Sequence, residues 1–403
     1  MKIEDLYRNF KSCVAITTDT RKLSKNFMYV ALKGEKYNGN EFVETAFKLG
    51  AKYCVVDQKE AVINKQCILV NNTLETLQNL ANYHRKKINI TIIAHTGSNG
   101  KTTTKELIYK VLSAKFKVKC TKGNYNNHIG VPLTLLSFDE SLDFGIVEMG
   151  ANHQNEIKFL CHIAEPDYGF ITNFGKAHLE GFGGVEGVIK GKSEIYDFLK
   201  NHHKTVFINN DDKKQVKQID SYKKIITYGE GLNNDYTICY LDANPFVKLQ
   251  FKGTTVTSQL IGKYNFSNIA IAITVGQYFG VETNLIKKAI ENYIPTNNRS
   301  EIKKINTNTI ILDAYNANPT SMTAALDSFF KLDAKNKTII VGDMLELGDL
   351  SSQEHQDIID YIESKFDENI YTVGENFLQT DSKSFVKKFL DFDDMNNSID
   401  FKT

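Results

Sequence analysis

The sequence lacks several features that define specialised protein classes. Its 403 residues include no tryptophan and six scattered cysteines without a CxxC pair, so a disulfide scaffold is excluded and reduced thiols in a cytosolic protein are expected. No apolar run approaches the roughly 18 residues that span a bilayer. The first ten residues, MKIEDLYRNF, contain no apolar core of a signal peptide. We therefore expect a cytoplasmic protein.

The chain also lacks an excess of either charge, with 49 Lys and Arg against 48 Asp and Glu. A net charge of +1 removes the bulk electrostatic argument for nucleic-acid or anionic-membrane binding. We expect neither partner, and we expect a monomer. The 41% hydrophobic and 24% charged composition is that of a globular protein, and the length predicts two or three domains.

Hydrophobic patterning divides the chain into three predicted α/β domains. Residues 1–88 mix short strands and helices, which predicts a small mixed α/β domain. Residues 89–295 repeat strand, loop and helix, which predicts a mostly parallel sheet with helices on both faces. Residues 296–403 predict a Rossmann-like α/β domain, with strands at 309–313, 338–342 and 370–374. Its polar end, 391–403, is predicted to be frayed.

A glycine-rich segment separates an apolar run at 90–94 from an amphipathic helical pattern. It reads His95, Thr96, Gly97, Ser98, Asn99, Gly100, Lys101, Thr102 and Thr103. Glycines let successive N–H groups face an anion, Lys101 supplies a cation for phosphates, and the Thr102 hydroxyl can bind Mg²⁺. The strict GxxxxGK[ST] pattern needs glycine at 95, and a plain helix-opening turn is the alternative. The order of strand, glycines and helix favours a nucleoside triphosphate.

Three residues downstream are candidates for a metal site. Glu148 ends the predicted strand at 144–147, and this end of a parallel strand faces the crevice where α/β sheets bind ligands. Because Glu148 would lie next to a phosphate loop, we favour a role as a metal ligand over that of a carboxylate in solvent. His178 follows the strand at 168–172 and is equally a structural or a functional histidine. Lys192, by pattern alone, is an ordinary exposed helix lysine.

Polar residues near the second predicted boundary have two interpretations each. Asn265 and Asn268 are three residues apart on a predicted helix and therefore share one face. Helix capping explains Asn265, whereas Asn268, one turn further in, could reach an adenine edge. Arg299 could bind a phosphate from the third domain. The segment from Asp313 to Pro319 is either a site or turn chemistry, since Asn and Pro favour turns.

Taken together, these motifs resemble the Mur ligase family, ATP-dependent amino-acid ligases of peptidoglycan precursor synthesis. The resemblance covers nearly the whole chain, in motif order. The matching segments are 96–103 (TGSNGKTT), 147–150 (VEMG), 172–180 (TNFGKAHLE), 315–319 (YNANP) and 341–348 (VGDMLELG). The last two are similar to those of the member that adds D-alanyl-D-alanine to a UDP-N-acetylmuramoyl tripeptide.

The resemblance implies roles for named residues. It makes Lys101, Glu148, His178 and Lys192 catalytic, and it implies one or two Mg²⁺ at Thr102, Glu148, His178 and a carbamylated Lys192. For ATP it implies the loop Gly97–Thr103, with Asn268 at adenine, Arg299 at phosphate and Asp313 at ribose. For the UDP substrate it implies Thr18, Asp19, Thr20, Arg21, Lys33 and Gly34. Nearer the reacting ends it implies Asn126, Asn127, Asn316 and Asn318.

The implied reaction joins a carboxylate to an amine at the expense of ATP, through an acyl phosphate. Two alternatives stay open from the sequence. One is a related ligase of the same fold, of folylpolyglutamate or cyanophycin type. The other is a nucleotide-binding scaffold without catalysis. The segment Thr18–Arg21 argues against the first.

Overall fold

The protein, a computed structural model, is described over residues 2–296 and 298–399. Its N-terminal part is built on a parallel sheet with the strand order β1-β2-β5-β6, and β3 and β4 form a separate hairpin. The elements are α1 Ile3–Lys11, β1 Ile16–Thr17, β2 Met28–Val30, β3 Lys33–Gly34, β4 Tyr37–Asn38, α2 Val43–Lys48, β5 Tyr53–Val56, β6 Cys67–Leu69 and α3 Thr73–Ile88. Short 3-10 helices cover Thr20–Lys22, Gly39–Phe42 and Lys59–Ala61.

The central part contains a 9-stranded sheet with the order β15-β14-β13-β12-β11-β10-β7-β9-β8. All pairs from β8 to β13 are parallel, and β13, β14 and β15 are antiparallel at the margin. The elements are β7 Thr91–Thr96, α4 Lys101–Ser113, β8 Val118–Cys120, α5 Gly130–Leu136, β9 Phe144–Glu148, α6 Glu156–Ala164, β10 Tyr168–Ile171, α7 Leu179–Phe182, α8 Val185–Asn201, β11 Thr205–Asn209, α9 Lys213–Ile219, β12 Ile225–Gly229, β13 Tyr236–Ala243, β14 Phe246–Phe251, β15 Thr254–Ile261, α10 Asn265–Tyr278 and α11 Thr283–Glu291.

Strand β7 shows why the central sheet is covered on both faces. Side chains of a strand alternate between faces, and Ile92 and Ala94 pack in one hydrophobic cluster while Ile93 packs in another. The first cluster includes residues of α3, α5, α6 and α8, and the second includes residues of α4, α10 and α11. Because both faces are buried, the strand carries an unbroken apolar run. The predicted α/β class with a central, mostly parallel sheet is confirmed.

The C-terminal part differs from its predicted strand pattern. Its elements are β16 Glu301–Ile305, β17 Asn308–Leu312, α12 Pro319–Phe330, β18 Ile339–Gly342, α13 Ser351–Glu363, β19 Ile370–Val373, α14 Glu375–Leu378, β20 Val386–Phe389 and α15 Phe392–Ser398, with a 3-10 helix at Gly348–Leu350. The predicted strand at 309–313 does not join the α/β alternation, because β17 pairs only with β16 in an antiparallel hairpin. The parallel sheet is β18-β19-β20.

The prediction of a frayed end from 391 was wrong for residues 392–398. Asp391 accepts a hydrogen bond from the backbone N–H of Asp394 at 2.8 Å and caps α15, and Met395 is buried. A carboxylate cap satisfies one of the free N–H groups of the first turn. Residues 400–403 of that prediction lie outside the described residues. The domain limits at 88 and 295 stay a prediction.

Helix α3 ties the N-terminal part to the central sheet. It begins at the cap Asn72, whose side chain accepts a hydrogen bond from Glu75 N at 2.9 Å, and ends at Asn89 in a left-handed conformation. Near its end Arg85 is buried, and its guanidinium donates to three backbone carbonyls and to Asp167 Oδ2 at 2.7 Å. The carbonyls belong to Ala164, Ile90 and Glu165. No helix in the described ranges combines the length and apolarity that crossing a membrane requires.

Arg85→Ala should lower the free energy of unfolding by about 2–4 kcal/mol, since it leaves three backbone carbonyls without their side-chain donor. Asp167 loses one partner but keeps Lys204 and the N–H of Ile92. Chemical denaturation followed by circular dichroism measures the change. Lys87→Ala is the matched control, because Lys87 is an exposed cation on the same helix, and its loss should change stability by less than about 1 kcal/mol. Equal effects of the two substitutions would contradict the assigned role of Arg85.

Candidate active site

The phosphate loop runs from the end of β7 to the start of α4, and two of its positions admit only glycine. Gly97 has φ +146°, and a Cβ there would lie 1.9 Å from Thr172 Oγ1. Gly100 has φ +77°, and a Cβ there would lie 2.4 Å from Asn268 Oδ1. Glycine adopts such backbone angles without strain and permits close approach. The loop therefore sits directly against β10 and α10.

Residues after β10 hold the loop in shape. The Thr172 hydroxyl donates to Asn99 O at 2.6 Å, and the Asn173 amide donates to the same carbonyl at 2.9 Å. Asn173 also accepts from the backbone N–H of Asn99 at 3.1 Å through its side chain and from Ser98 N through its carbonyl. The N–H groups of Ser98 and Asn99 are therefore occupied, and the first turn of α4 offers further N–H donors to an anion.

Lys101 begins α4 and folds back over the loop. Its Nζ donates to Gly97 O at 2.7 Å and to Ser98 O at 3.1 Å. Burial lowers the pKa of Lys101 to about 8, and Arg299 acts in the same direction while Glu148 opposes it. A cation held by two carbonyls at a helix N-terminus is the arrangement that receives a phosphate group.

Glu148 is a buried, ionised carboxylate at the carboxyl end of β9. Its Oε1 accepts from the Asn126 amide at 2.8 Å and from the Thr102 hydroxyl at 3.4 Å, and its Oε2 lies 3.4 Å from Lys105 Nζ. Burial alone would raise the pKa of Glu148, but Lys105, His95, Lys101 and the Asn126 hydrogen bond together lower it. The carboxylate is thus charged and adjacent to the phosphate loop.

Lys192 is not the exposed lysine that its pattern suggests. The residue is 0% exposed, its Nζ donates to Ala151 O at 2.9 Å, and the amine lies 4.8 Å from the centre of the Phe182 ring. Burial, together with the charge of Lys101, lowers the pKa of Lys192 well below its ordinary value. A buried amine whose charged form is disfavoured therefore lies within electrostatic range of Lys101 in the phosphate loop.

His178, at the start of α7, lies within electrostatic range of this amine. Burial lowers the pKa of His178, with contributions from Lys192 and Lys101, although its Nδ1 pairs with the Glu346 carboxylate. The backbone of His178 is left-handed, with φ +56°. Such a conformation in a residue other than glycine is enriched at functional sites. Lys101 is thus within electrostatic range of Glu148, His178 and Lys192.

The C-terminal part contacts the phosphate loop directly. The Asn318 amide donates to Asn99 Oδ1 at 2.6 Å, and the Asn99 amide donates back to Asn318 Oδ1 at 3.3 Å. Asn318 also caps α12 by accepting from Ser321 N at 3.0 Å. A second pair joins Lys176 to Glu354, and Lys176 N donates to Thr320 Oγ1 at 2.9 Å. Loop and cap are thus fixed to each other.

The residues predicted for adenine, ribose and phosphate are near this junction. Asn268 is buried, with its Oδ1 accepting from Thr104 at 3.1 Å and its amide donating to Asn265 at 2.8 Å. Asp313 accepts from Tyr264 OH at 3.2 Å and from Ser300 N at 3.3 Å. The Arg299 guanidinium stacks on the ring of Tyr315, 3.8 Å from its centre. Their nucleotide roles stay predictions.

The residues predicted for the UDP substrate lie in the N-terminal part. Asp19 binds Arg21 through two hydrogen bonds of 2.9 Å and caps the 3-10 helix that begins at Thr20, and Thr18 precedes it half-buried. Lys33 pairs with Asp57 Oδ1 at 3.1 Å, and Gly34 lies under the Tyr37 ring of the hairpin.

The residues predicted for the reacting ends of the substrates lie in two different parts of the chain. Asn126 holds Glu148, whereas Asn127 caps α5 by accepting from Ile129 N and Gly130 N. Asn316 is exposed, in the segment that leads to the cap Asn318. Substrate binding by these residues stays a prediction.

The oxygen donors of the site suit Mg²⁺. Thr102 Oγ1 and Glu148 Oε1 are neighbours, and Glu148 Oε2, although ion-paired, is buried and accepts no hydrogen bond within residues 2–296 and 298–399. Over the same ranges, no group of three or more His, Cys, Asp or Glu side chains could hold a metal alone. Mg²⁺ often takes one or two carboxylates and completes its shell with phosphates and water. The site fits a metal that binds together with a phosphate ligand.

Three residues of the site were missed from the sequence. Lys105 pairs with Glu148, Thr121 Oγ1 accepts from Glu148 N at 3.0 Å, and Asn173 holds the loop. Lys105 carries a signal that could have found it, because it falls on the apolar stripe of α4 with Ile108. A lysine at a core position of a helix is rare unless it is paired. Thr121 and Asn173 carry no comparable signal.

Family models match three successive stretches of the chain. The one described as Mur ligase family, catalytic domain, matches residues 13–94, the Mur ligase middle domain matches 96–276, and the Mur ligase, glutamate ligase domain matches 298–400. A UDP-N-acetylmuramoyl-tripeptide--D-alanyl-D-alanine ligase from Bacillus subtilis is 37% identical over 89% of this chain and 80% of its own length.

Solved structures agree with these matches. A crystal structure of MurF from Acinetobacter baumannii is 29% identical with a TM-score of 0.83, covering 96% of this chain and 89% of that one. MurF ligase from Thermotoga maritima in complex with ADP also has a TM-score of 0.83, covering 97% of this chain and 92% of that one, and its 24% identity supports the fold alone. The chain belongs to the Mur ligase family.

Proposed function

We propose that the protein uses ATP to join D-alanyl-D-alanine to a UDP-N-acetylmuramoyl tripeptide, forming the pentapeptide precursor of peptidoglycan. The observation that carries the proposal is the meeting of three groups at one edge of the central sheet. The phosphate loop is linked to the buried carboxylate of Glu148 and to the cap Asn318 by direct hydrogen bonds. The similarity to tripeptide–D-alanyl-D-alanine ligases supports these two substrates.

The proposed division of labour follows the three parts of the chain. Residues 1–88, with Thr18–Arg21 and Lys33, would anchor the UDP end of the tripeptide substrate. Residues 89–295 would hold ATP on the phosphate loop, and residues 296–403 would bring Arg299, Asp313 and the acceptor to it. Each part holds only a portion of these groups, so the reaction needs all three. A cytoplasmic location and a monomeric state remain predictions.

The first proposed step is transfer of the γ-phosphoryl group to the tripeptide carboxylate. The carboxylate oxygen attacks phosphorus, the bond to the β-phosphate oxygen breaks, and ADP leaves as an acyl phosphate forms. Lys101 would stabilise the charge on the phosphates by releasing the carbonyls of Gly97 and Ser98 that it now binds. Thr102 and Glu148 would hold Mg²⁺, which neutralises phosphate charge when it is bound.

The second proposed step is attack of the dipeptide amine on the acyl carbon, with release of inorganic phosphate. Water would compete with the amine, so the intermediate must be shielded. The contacts of Asn318 with Asn99 and of Glu354 with Lys176 supply such shielding, because they place the C-terminal part over the loop. Asn316 and Asn318 would face the acceptor.

We further propose that Lys192 is carbamylated. Its neutral amine can attack CO₂, lose a proton and become a carbamate anion, which would add an anionic ligand near His178. The burial and lowered pKa of the amine support this reaction.

The function is tested by measuring ADP release from ATP with UDP-N-acetylmuramoyl tripeptide, with and without D-alanyl-D-alanine, and by mass spectrometry of the product. Coupled release that needs both substrates and yields the pentapeptide is expected. A preference for L-glutamate as acceptor would indicate the alternative ligase class. ADP release that is absent under all conditions would indicate a scaffold and contradict the proposal.

The Michaelis constant for ATP should rise as pH increases above about 8, by at most about tenfold per pH unit. The pKa of Lys101 is lowered to about 8 by burial, so the amine loses its charge above this pH and no longer attracts phosphate. Steady-state kinetics between pH 7 and 9.5 measure the effect. Lys101→Arg, which keeps its charge throughout, should remove this pH dependence while lowering the rate. The same slope in the arginine variant would show that another group titrates.

Lys192→Ala should lose at least about 100-fold in kcat, with partial recovery when a short carboxylic acid is added, since the acid replaces the carbamate anion. Lys190→Ala is the matched control, because Lys190 is an exposed lysine on the same helix. In the unmodified protein, ¹³C NMR with labelled bicarbonate should show a carbamate signal that the alanine variant lacks. An unchanged kcat would contradict a catalytic role for Lys192.

A further inference from the structure

Lys105 is a fully buried lysine to which the proposed mechanism gives no role. It is 1% exposed and lies one helical turn after Lys101 on α4. Its Nζ is 3.4 Å from Glu148 Oε2 and 3.3 Å from Gly123 O. The amine therefore stands between the carboxylate and the loop that carries Asn126. Burying such a long cation is costly without a specific partner.

The two oxygens of Glu148 have different surroundings. Oε1 accepts hydrogen bonds from the Asn126 amide and the Thr102 hydroxyl. Oε2 lies 3.4 Å from the Lys105 amine and accepts no hydrogen bond within the described parts of the chain. An ion pair fixes the orientation of the carboxylate without using directional hydrogen bonds. The Lys105 amine thus occupies the place beside Glu148 Oε2 that a second cation would otherwise take.

The local charge favours a metal that arrives with an anion. While Lys192 is not carbamylated, two lysines, Lys101 and Lys105, act on the single carboxylate of Glu148. A bare divalent cation would enter surroundings that are already positive, and the repulsion is strong in a site of low dielectric constant. A bound triphosphate makes the net charge of the site negative, because its negative charges outnumber the positive charges of the two lysines.

We propose that Lys105 is a resident counter-ion for Glu148 that prevents the binding of a free divalent cation, so that the metal enters only together with the nucleotide. Lys105 is therefore a positioning residue: it acts through Glu148 and does not touch the reacting atoms. The inference rests on the proposed function in one respect: it takes Glu148 to be a ligand of the bound metal.

The test uses Mn²⁺ as the probe, titrated into the full-length protein without nucleotide and followed by electron paramagnetic resonance. The buffer is free of bicarbonate, so that Lys192 is not carbamylated. The unmodified protein should show no specific Mn²⁺ binding until ATP is added. Without nucleotide, Lys105→Met should bind Mn²⁺ at least about tenfold more tightly than the unmodified protein does. Lys110→Met, which removes an exposed lysine from the same helix, should behave like the unmodified protein, and so should Lys105→Arg.

Thermal unfolding gives a second readout that does not depend on catalysis. Mg²⁺ alone should raise the melting temperature of Lys105→Met, because the metal replaces the missing counter-ion and binds only the folded state. It should leave the unmodified protein unchanged. The double variant Lys105→Met with Glu148→Gln has no carboxylate to neutralise, so Mg²⁺ should not stabilise it.

Specific Mn²⁺ binding by the unmodified protein without nucleotide would overturn the proposal. So would a Lys105→Met variant that binds Mn²⁺ no better than Lys110→Met, or one that fails to fold even with Mg²⁺ present. Loss of ligation in the assay of ADP release, with the metal behaviour described here intact, would instead contradict the proposed function and leave this inference standing.

Discussion

The candidate site depends on one electrostatic constraint, the burial of an ionised carboxylate at the end of a central strand. Placing Glu148 away from water is unfavourable unless charge and hydrogen bonds compensate for it. Lys105, Thr102 and Asn126 supply that compensation, the first two from helix α4 and the third from the loop after a neighbouring strand. The packing of α4 and of the loop after β8 against β9 therefore depends on Glu148 being ionised.

The parallel sheet explains why these groups meet. Strands β7, β9 and β10 are adjacent and parallel, so the phosphate loop, Glu148 and the segment after β10 leave the sheet at the same edge. The loop is shaped by Asn173 from one side and by Asn268 from the other. Rigid elements thus hold the first-turn donors of α4 in place, which favours preorganised binding of an anion.

The C-terminal part completes this edge through polar contacts. Asn99 and Asn318 pair through their amides, and acidic residues of the C-terminal part meet Lys176 and His178. Contacts of this kind are weaker than an apolar interface and can be exchanged for contacts with ligands. The geometry suits a site that opens to admit its ligands and closes for the reaction.

Much of this organisation is predictable from the sequence, because it rests on local patterns. The apolar run of β7 and the glycines before Lys101 identify a phosphate loop from residues that are adjacent in the chain. Strands β16 and β20 were missed because Glu301–Ile305 and Val386–Phe389 carry lysines on half-exposed edges. The burial of Lys192 was also missed, although the residue falls on the apolar stripe of α8 with Val188 and Ile195. Its contacts with Ala151 and Phe182 are set by the tertiary fold and could not be predicted from that stripe.

The central claim is that ATP activates a carboxylate by direct phosphoryl transfer at the loop around Lys101. It is tested most directly with a UDP-muramoyl tripeptide whose terminal carboxylate is labelled with ¹⁸O, in a complete reaction with ATP and D-alanyl-D-alanine. We expect one ¹⁸O atom in each molecule of inorganic phosphate released, because the acyl oxygen leaves with phosphorus. Phosphate without the label, formed together with the ligated product, would contradict the claim.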